Sequence, residues 1–134
     1  MTAVVRDAMV PEPRALPAEA AAREAGELLV RPEVRAVFVA EGDRLLGVIT
    51  RGTLIRDVVA TGRDPTRVAA GEIAEEPRYT LDPGQPLDEA FRFLEEHDLE
   101  RVPVLEEGRL VGVLSRAVLQ RRLAEDEPPA EEDV

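Results

Sequence analysis

Several residue types with distinctive chemistry are missing from this 134-residue chain. It contains no Cys, Lys, Asn or Trp, and all seventeen basic residues are Arg. The absence of Cys excludes disulfides, thiolate nucleophiles and thiolate metal sites. The absence of Lys excludes Schiff-base catalysis and the lysine-containing phosphate loop of P-loop proteins. Aromatic residues make up only 3% of the chain, so Val, Leu, Ile and Ala must form the core.

Catalytic groups are also scarce. The chain has one His, His97, and one Ser, Ser115, which lie apart in the sequence, so a hydrolase triad is not expected. No cluster of His, Cys or spaced acids suits a metal ion. His97 ends a predicted helix, where a capping or surface role is favoured over catalysis. The residue inventory therefore predicts a protein that is not an enzyme and has no metal site.

Two further absences concern location and partners. No run of 18 apolar residues exists, and the N-terminus lacks a basic stretch followed by an apolar core, which predicts a cytoplasmic protein without a membrane partner. The net charge is −11 and no basic stripe is visible, which disfavours nucleic acid as a partner. Six acids and no base lie in the last eleven residues, so residues 124–134 are predicted to be a disordered acidic tail.

What the chain does contain is an internal repeat. Residues 37–51 return 65 positions later as residues 102–116, and eight of the fifteen paired positions are identical. The correspondence continues more weakly back to Leu16 and Leu81. Units of roughly 60 residues bury so little surface that they are only marginally stable alone, so the two copies are expected to pack against each other.

Each copy shows the same order of structural signals. A short extended segment precedes a stretch with helical apolar spacing, residues 20–29 in the first copy and 87–97 in the second. Two segments rich in Val and Leu follow as a hairpin. Thr50 and Ser115 then precede the last helix of each copy as predicted N-caps. The fold class is α/β, with two β-α-β-β-α repeats related by pseudo-twofold symmetry.

Turn signals give the predicted boundaries. Gly62 suits a left-handed position after the last helix of the first copy, and Asp64-Pro65 stops any continuation of that helix. The predicted division is a first repeat at 1–61, a connector at 62–76, a second repeat at 77–123 and the tail at 124–134.

This pattern resembles a tandem pair of cystathionine-β-synthase (CBS) domains, often called a Bateman module. The resemblance covers residues 4–123 and is carried by Asp7-Ala8-Met9, by GDRLLGVITRGTLI at 42–55, and by the segment from YTLDPGQPLDEA at 79–90 to residue 119. It implies that the two copies pack through their sheets, leave two symmetry-related clefts and associate into a disk-like homodimer. It also implies regulatory binding of adenine nucleotides or adenosyl compounds in those clefts.

The ligand motif of that family is a Gly, two apolar residues, a Thr or Ser, two free positions and an Asp that holds the ribose hydroxyls. Here it reads GVITRGT at 47–53 and GVLSRAV at 112–118, so Thr53 and Val118 stand where the family has Asp. Thr53 retains a hydroxyl and Val118 does not, which predicts weaker adenosine binding in the second cleft. Phe38 stands where the second copy has Pro103, so the clefts are expected to differ in shape. The resemblance implies that the clefts are lined by Val37, Phe38, Thr50, Arg51, Thr53, Thr80, Val102, Pro103, Ser115, Arg116 and Val118.

Thr50 and Ser115 also have an interpretation that does not depend on the family. Unpaired N–H groups at helix N-termini favour an anion, and Arg51 and Arg116 follow immediately with planar donors suited to phosphate or carboxylate. The two dipeptides are therefore candidate anion sites. The alternative is that they are ordinary helix caps followed by solvated arginines.

The resulting hypothesis is a regulatory module that binds a small anionic, nucleotide-like ligand and passes its occupancy to a partner protein. The candidate ligands are AMP, ADP, ATP and S-adenosylmethionine, and the sequence selects none of them. The alternative hypothesis is a purely structural dimerisation module with degenerate ligand clefts. The missing acids favour the alternative, and the repeated Thr/Ser-Arg dipeptides favour ligand binding.

Overall fold

The α/β class is confirmed in the computed structural model, which describes residues 3–11 and 13–126. Both repeats show the predicted helix, hairpin and helix, and the extended segment predicted to open the second repeat forms a single bridge, between Leu81 and Val104. In chain order the elements are α1 (Val5–Ala8), β1 (Val10–Pro11), β2 (Leu16–Pro17), α2 (Ala22–Leu29), β3 (Val37–Glu41), β4 (Arg44–Ile49), α3 (Arg51–Leu54), α4 (Ala70–Ile73), α5 (Leu87–Glu96), β5 (Arg101–Glu106), β6 (Arg109–Ser115) and α6 (Arg116–Asp126). Helix α3 continues as a π-helical turn over Ile55–Val59. None of the helices in these two ranges is both long enough and apolar enough to cross a bilayer.

Contacts divide the chain into two compact units that are interleaved in sequence. The first-repeat unit contains the chain up to Arg78 except its N-terminal segment, together with residues 107–110 of the second hairpin. The second-repeat unit contains the N-terminal segment through Pro11, residues 79–106 and the chain from Val111 onward. The predicted first repeat included residues 1–11, whereas the structure groups this segment with the second repeat.

The core of the first-repeat unit lies between its helices and its strands. β3 and β4 form the predicted antiparallel hairpin, and β2 joins β3 in parallel with Leu16 opposite Val39. Helix α2 faces this sheet with Ala22, Ala25 and Leu29, which are 0–3% exposed and recur at helical spacing. The π-helical turn that continues α3 ends at Val59, and Gly62, three residues later, has the expected left-handed conformation with a φ of 72°.

The predicted connector contributes structure to the first-repeat unit. It contains the short helix α4, and Glu75 then pairs with Val48 through two backbone hydrogen bonds of 2.8 and 2.9 Å. This pairing requires glycine at position 47, because a β-carbon there would lie 2.5 Å from the carbonyl oxygen of Glu75. The glycine of the repeated motif is therefore needed for the close approach of a backbone segment.

The N-terminal segment plays the same role in the second-repeat unit. Val5 and Ala8 of α1 are 0% and 4% exposed within its core, and Val10 pairs with Val113 of β6. A β-carbon at Gly112, the counterpart of Gly47, would lie 2.9 Å from the carbonyl oxygen of Val10. This pairing and the burial of α1 explain why the segment belongs with the second repeat.

The end of the second-repeat unit differs slightly from the prediction. Helix α6 runs to Asp126, so it passes the predicted start of the acidic tail at residue 124. The remainder of the predicted tail, residues 127–134, lies outside the described residues.

Candidate functional site

The motif of the first repeat is built around two threonine side chains. Thr50 caps α3, because its Oγ1 accepts a hydrogen bond of 3.2 Å from the N–H of Thr53. The N–H of Thr50 in turn donates to Thr53 Oγ1 at 3.0 Å, and the two hydroxyl oxygens are 3.0 Å apart. Thr53 is completely buried, so its hydroxyl serves the helix cap and is not accessible to a ligand in this structure.

A carboxylate from another element completes this cap. The Thr53 hydroxyl donates to Glu75 Oε2 at 2.7 Å, and Arg56 Nη2 contacts Glu75 Oε1 at 2.6 Å. The Thr53 hydroxyl, followed by Arg56, lowers the pKa of Glu75 because both stabilise the charged carboxylate. The side chain of Glu75 remains 40% exposed. The motif thus has an adjacent acid, supplied by the connector.

Arg51 has a structural contact that the sequence analysis did not anticipate. Its Nη2 donates to the carbonyl oxygen of Leu29 and, at 2.7 Å, to that of Arg31. These carbonyls lie at the C-terminal end of α2, where helices leave acceptors unpaired. Arg51 therefore joins α2 to the start of α3, which differs from the expected role as an anion ligand.

Arg116, its counterpart, is also engaged within its own unit. Its guanidinium contacts Glu100 Oε1 at 3.0 Å and Asp98 Oδ1 at 3.3 Å, and only 19% of the side chain is exposed. Glu100, followed by Asp98, raises the pKa of Arg116. The N–H of Val118 donates to Ser115 Oγ at 3.3 Å, which confirms the predicted N-cap. In both repeats the cap of the predicted anion site is present and its arginine is bound to protein acceptors.

The remaining predicted positions lie at the starts of strands. Val37 and Phe38 are buried at the start of β3, where Val37 pairs with Ile49, the residue before Thr50. Val102 and Pro103 are likewise buried at the start of β5. Thr80 is exposed, and the N–H of the next residue, Leu81, donates to the carbonyl of Pro103 at 3.0 Å. The structure thus places Val37 opposite the residue before Thr50, and it places Thr80 next to the residue that bonds to Pro103.

Two features of the site were missed from sequence. One is Glu75, which lies outside the motif. The repeated Gly47 and Gly112 were the available signal in the sequence, because glycine in a strand often marks a place where another backbone segment approaches closely. The other is a cavity of about 420 Å³ in the first-repeat unit, between α2 and the segment that leads into β2. Among the predicted ligand-binding residues, only Val37 lines this cavity. Within residues 3–11 and 13–121, no group of three or more His, Cys, Asp or Glu side chains is placed to hold a metal ion.

Comparisons with known proteins agree on one family. Hypoxic response protein 1 of Mycobacterium tuberculosis is 38% identical over 85 residues, which is 63% of this chain and 59% of that relative's length. The crystal structure of Hypoxic Response Protein I with two coordinated zinc ions covers 91% of this chain and 99% of its own, with a TM-score of 0.71 and 30% identity. The structure of CBSX2 in complex with AMP covers 93% of this chain and 99% of its own, with a TM-score of 0.70 and 23% identity.

The family model for the CBS domain matches this chain twice, at residues 5–60 and 70–125. Each match begins with the segment that precedes its repeat and ends with the helix that follows the hairpin. The chain therefore belongs to the CBS domain family and carries two tandem copies of the domain.

Proposed function

We propose that this CBS pair is a cytoplasmic regulatory module that binds an adenine-nucleotide-like ligand and signals its occupancy to a partner protein. CBS-domain proteins are generally regulatory, and the structural neighbour CBSX2 forms a complex with AMP. The observation that carries the proposal is the carboxylate of Glu75, which lies against the end of the first ligand motif. It offers the acidic acceptor that the motif itself lacks.

Glu75 suits this role because its carboxylate is held in place and remains accessible. Thr53 and Arg56 fix its two oxygens, and 40% of the side chain is exposed. A preorganised carboxylate can accept further hydrogen bonds from the hydroxyls of a sugar. The position that corresponds to Glu75 in the second repeat is Val10, and the second motif ends in Val118. The first repeat is therefore the proposed binding site.

Calorimetry on the full chain tests this proposal with AMP, ADP, ATP and S-adenosylmethionine. We expect at least one of these ligands to bind, and Glu75→Gln to weaken it about tenfold, because a charge-assisted acceptor is lost. Glu76→Gln is the matched control, since Glu76 is an exposed neighbouring glutamate. Failure of all four ligands to bind would contradict the proposal and favour the alternative of a structural dimerisation module.

We also propose that this chain associates with a second copy of itself in solution. Ile55 and Val59 lie one turn apart on the helix that follows the first motif, and they are 61% and 70% exposed. Adjacent apolar side chains with this exposure favour association, because burying them removes apolar surface from water. The proposed assembly is a homodimer that contacts itself through this helix.

Light scattering tests the dimer. We expect a dimer at micromolar concentration and a monomer for the double variant Ile55→Glu/Val59→Glu, which places two charges in the proposed contact. Leu46→Glu is the control, because Leu46 is a partly exposed apolar residue on β4. A wild-type chain that scatters as a monomer would exclude the homodimer.

A further inference from the structure

Two residues that line the cavity of the first-repeat unit have aromatic counterparts in the second repeat. Arg14 and Leu28 line the cavity, and the residues 65 positions later are Tyr79 and Phe93. The rings of Tyr79 and Phe93 pack edge to face with centroids 5.2 Å apart, and His97 lies 4.8 Å from Tyr79. The second repeat therefore has packed aromatic rings at the positions whose counterparts line an open cavity in the first repeat.

The cavity is lined by both apolar and charged residues. Ala15, Leu16, Leu28 and Val37 supply the apolar lining, and the volume of about 420 Å³ lies within the range of small-molecule pockets. This lining differs from the repeated motif, because none of the motif residues contributes to it. A single aromatic ring with a short polar substituent fits a cavity of this size and chemistry.

The charged residues of the cavity carry both signs. The guanidinium groups of Arg14 and Arg31 make no hydrogen bond or ion pair with any residue in the described part of the chain. Glu24 caps its own helix by accepting from the N–H of Ala21 at 3.2 Å, and Glu27 lies 3.5 Å from a neighbouring arginine. Two guanidinium groups are therefore available for a carboxylate, and the two glutamates next to them disfavour a multiply charged anion.

We propose that this cavity binds a free aromatic amino acid in its zwitterionic form. The ring takes the place that Tyr79 and Phe93 fill in the second repeat, the carboxylate pairs with Arg14 and Arg31, and the ammonium group faces Glu24 and Glu27. The equal numbers of positive and negative residues match a ligand that carries one charge of each sign. This site is separate from the proposed nucleotide site and does not depend on it.

The test is calorimetry on the full chain with L-phenylalanine, L-tyrosine and L-tryptophan. We expect at least one to bind, and the double variant Arg14→Tyr/Leu28→Phe to abolish binding, because it places the residues of the second repeat in the first. Arg31→Glu, which introduces the residue of the second repeat at that position, should weaken binding at least about tenfold. Arg35→Glu is the control, because Arg35 is exposed and does not line the cavity.

Analogues separate the two charges of the ligand. Phenylethylamine lacks the carboxylate and 3-phenylpropionate lacks the ammonium group, so both should bind more weakly than L-phenylalanine. Equal affinity for 3-phenylpropionate and L-phenylalanine would overturn the proposal that the ligand binds as a zwitterion. Failure of all three amino acids to bind would overturn the proposal that the cavity is an amino-acid site. A double variant that keeps wild-type affinity while folding normally would also overturn it. If the double variant kept wild-type affinity for the amino acids but changed the oligomeric state of the chain, the cavity would instead be a contact surface for a second copy of the chain.

Discussion

At the scale of single residues, Arg51 shows how a predicted ligand residue can have a structural role. Its guanidinium contacts the carbonyls of Leu29 and Arg31 at the end of α2. We expect Arg51→Ala to lower the free energy of unfolding by about 1 kcal/mol, because two acceptors lose a charged donor. Urea denaturation measures this change, and Arg35→Ala is the control because Arg35 is exposed in the adjacent loop. Equal stability of both variants would show that the contacts contribute nothing in solution.

Glu75 gives a prediction about pH. Its pKa is lowered by the Thr53 hydroxyl and by Arg56, so the carboxylate stabilises the folded state above the pKa that Glu75 has in the unfolded chain. That stabilisation disappears as the pH falls through the lower pKa of the folded state. Because 40% of the side chain is exposed, the contribution is below about 1 kcal/mol after screening by solvent.

The measurement compares urea denaturation of wild type and Glu75→Gln at pH 7 and about pH 3. We expect wild type to be the more stable protein at pH 7 and the difference to shrink as the pH falls through the lowered pKa that Glu75 has in the folded state. The Glu76→Gln variant should match wild type at both values. A difference between wild type and Glu75→Gln that does not shrink between pH 7 and about pH 3 would argue against an electrostatic origin.

At the scale of elements, the two motif glycines hold the added segments in place. A β-carbon at position 47 would meet the backbone of Glu75 at 2.5 Å, so Gly47→Ala must push this segment away from β4. We expect a loss of about 1–3 kcal/mol in the free energy of unfolding, measured by thermal or urea denaturation. Gly112→Ala should also destabilise, since the carbonyl of Val10 is at 2.9 Å.

The control for both glycine variants is Gly52→Ala. A β-carbon at position 52 meets only Thr50 Oγ1, at 3.7 Å, and Gly52 lies in the first turn of α3. Alanine favours the helical backbone over glycine, so this variant should be at least as stable as wild type. If all three variants lost stability equally, close backbone approach would not be the cause.

The regular elements were predictable because their signals are local. Apolar spacing predicted α2 and α5, Val- and Leu-rich segments predicted the two hairpins, and Thr50 and Ser115 were identified as caps. The short helices α1 and α4 gave no such signal, because each has four residues and too few positions to display a period. Their positions depend on burial against strands that lie far away in the sequence.

At the scale of the whole molecule, the interleaved units change what a fragment contains. A fragment that contains only the predicted second repeat, residues 77–123, lacks Val5 and Ala8, which are 0% and 4% exposed in the core of that unit. We expect deletion of residues 1–11 from the full chain to lower the free energy of unfolding by more than about 2 kcal/mol, because these side chains leave the core. Thermal denaturation measures the loss.

Point substitutions give the matched comparison for this deletion. Val5→Ala removes apolar atoms from a fully buried position and should reproduce part of the loss, whereas Ala3→Ser changes an exposed residue and should have no effect. Wild-type stability after removal of residues 1–11 would show that the segment is dispensable for the second-repeat unit.

The sequence by itself determined the repeat, the α/β class, the helix caps and the family, because these depend on periodicity and on residue types at fixed spacing. The tertiary structure alone placed Glu75 at the first motif, Arg51 on the end of α2 and the N-terminal segment in the second-repeat unit. It also revealed that the aromatic cluster of Tyr79 and Phe93 corresponds to an open cavity beside Arg14. These outcomes depend on contacts between residues that are distant in the sequence, and a local pattern of residues does not specify such contacts.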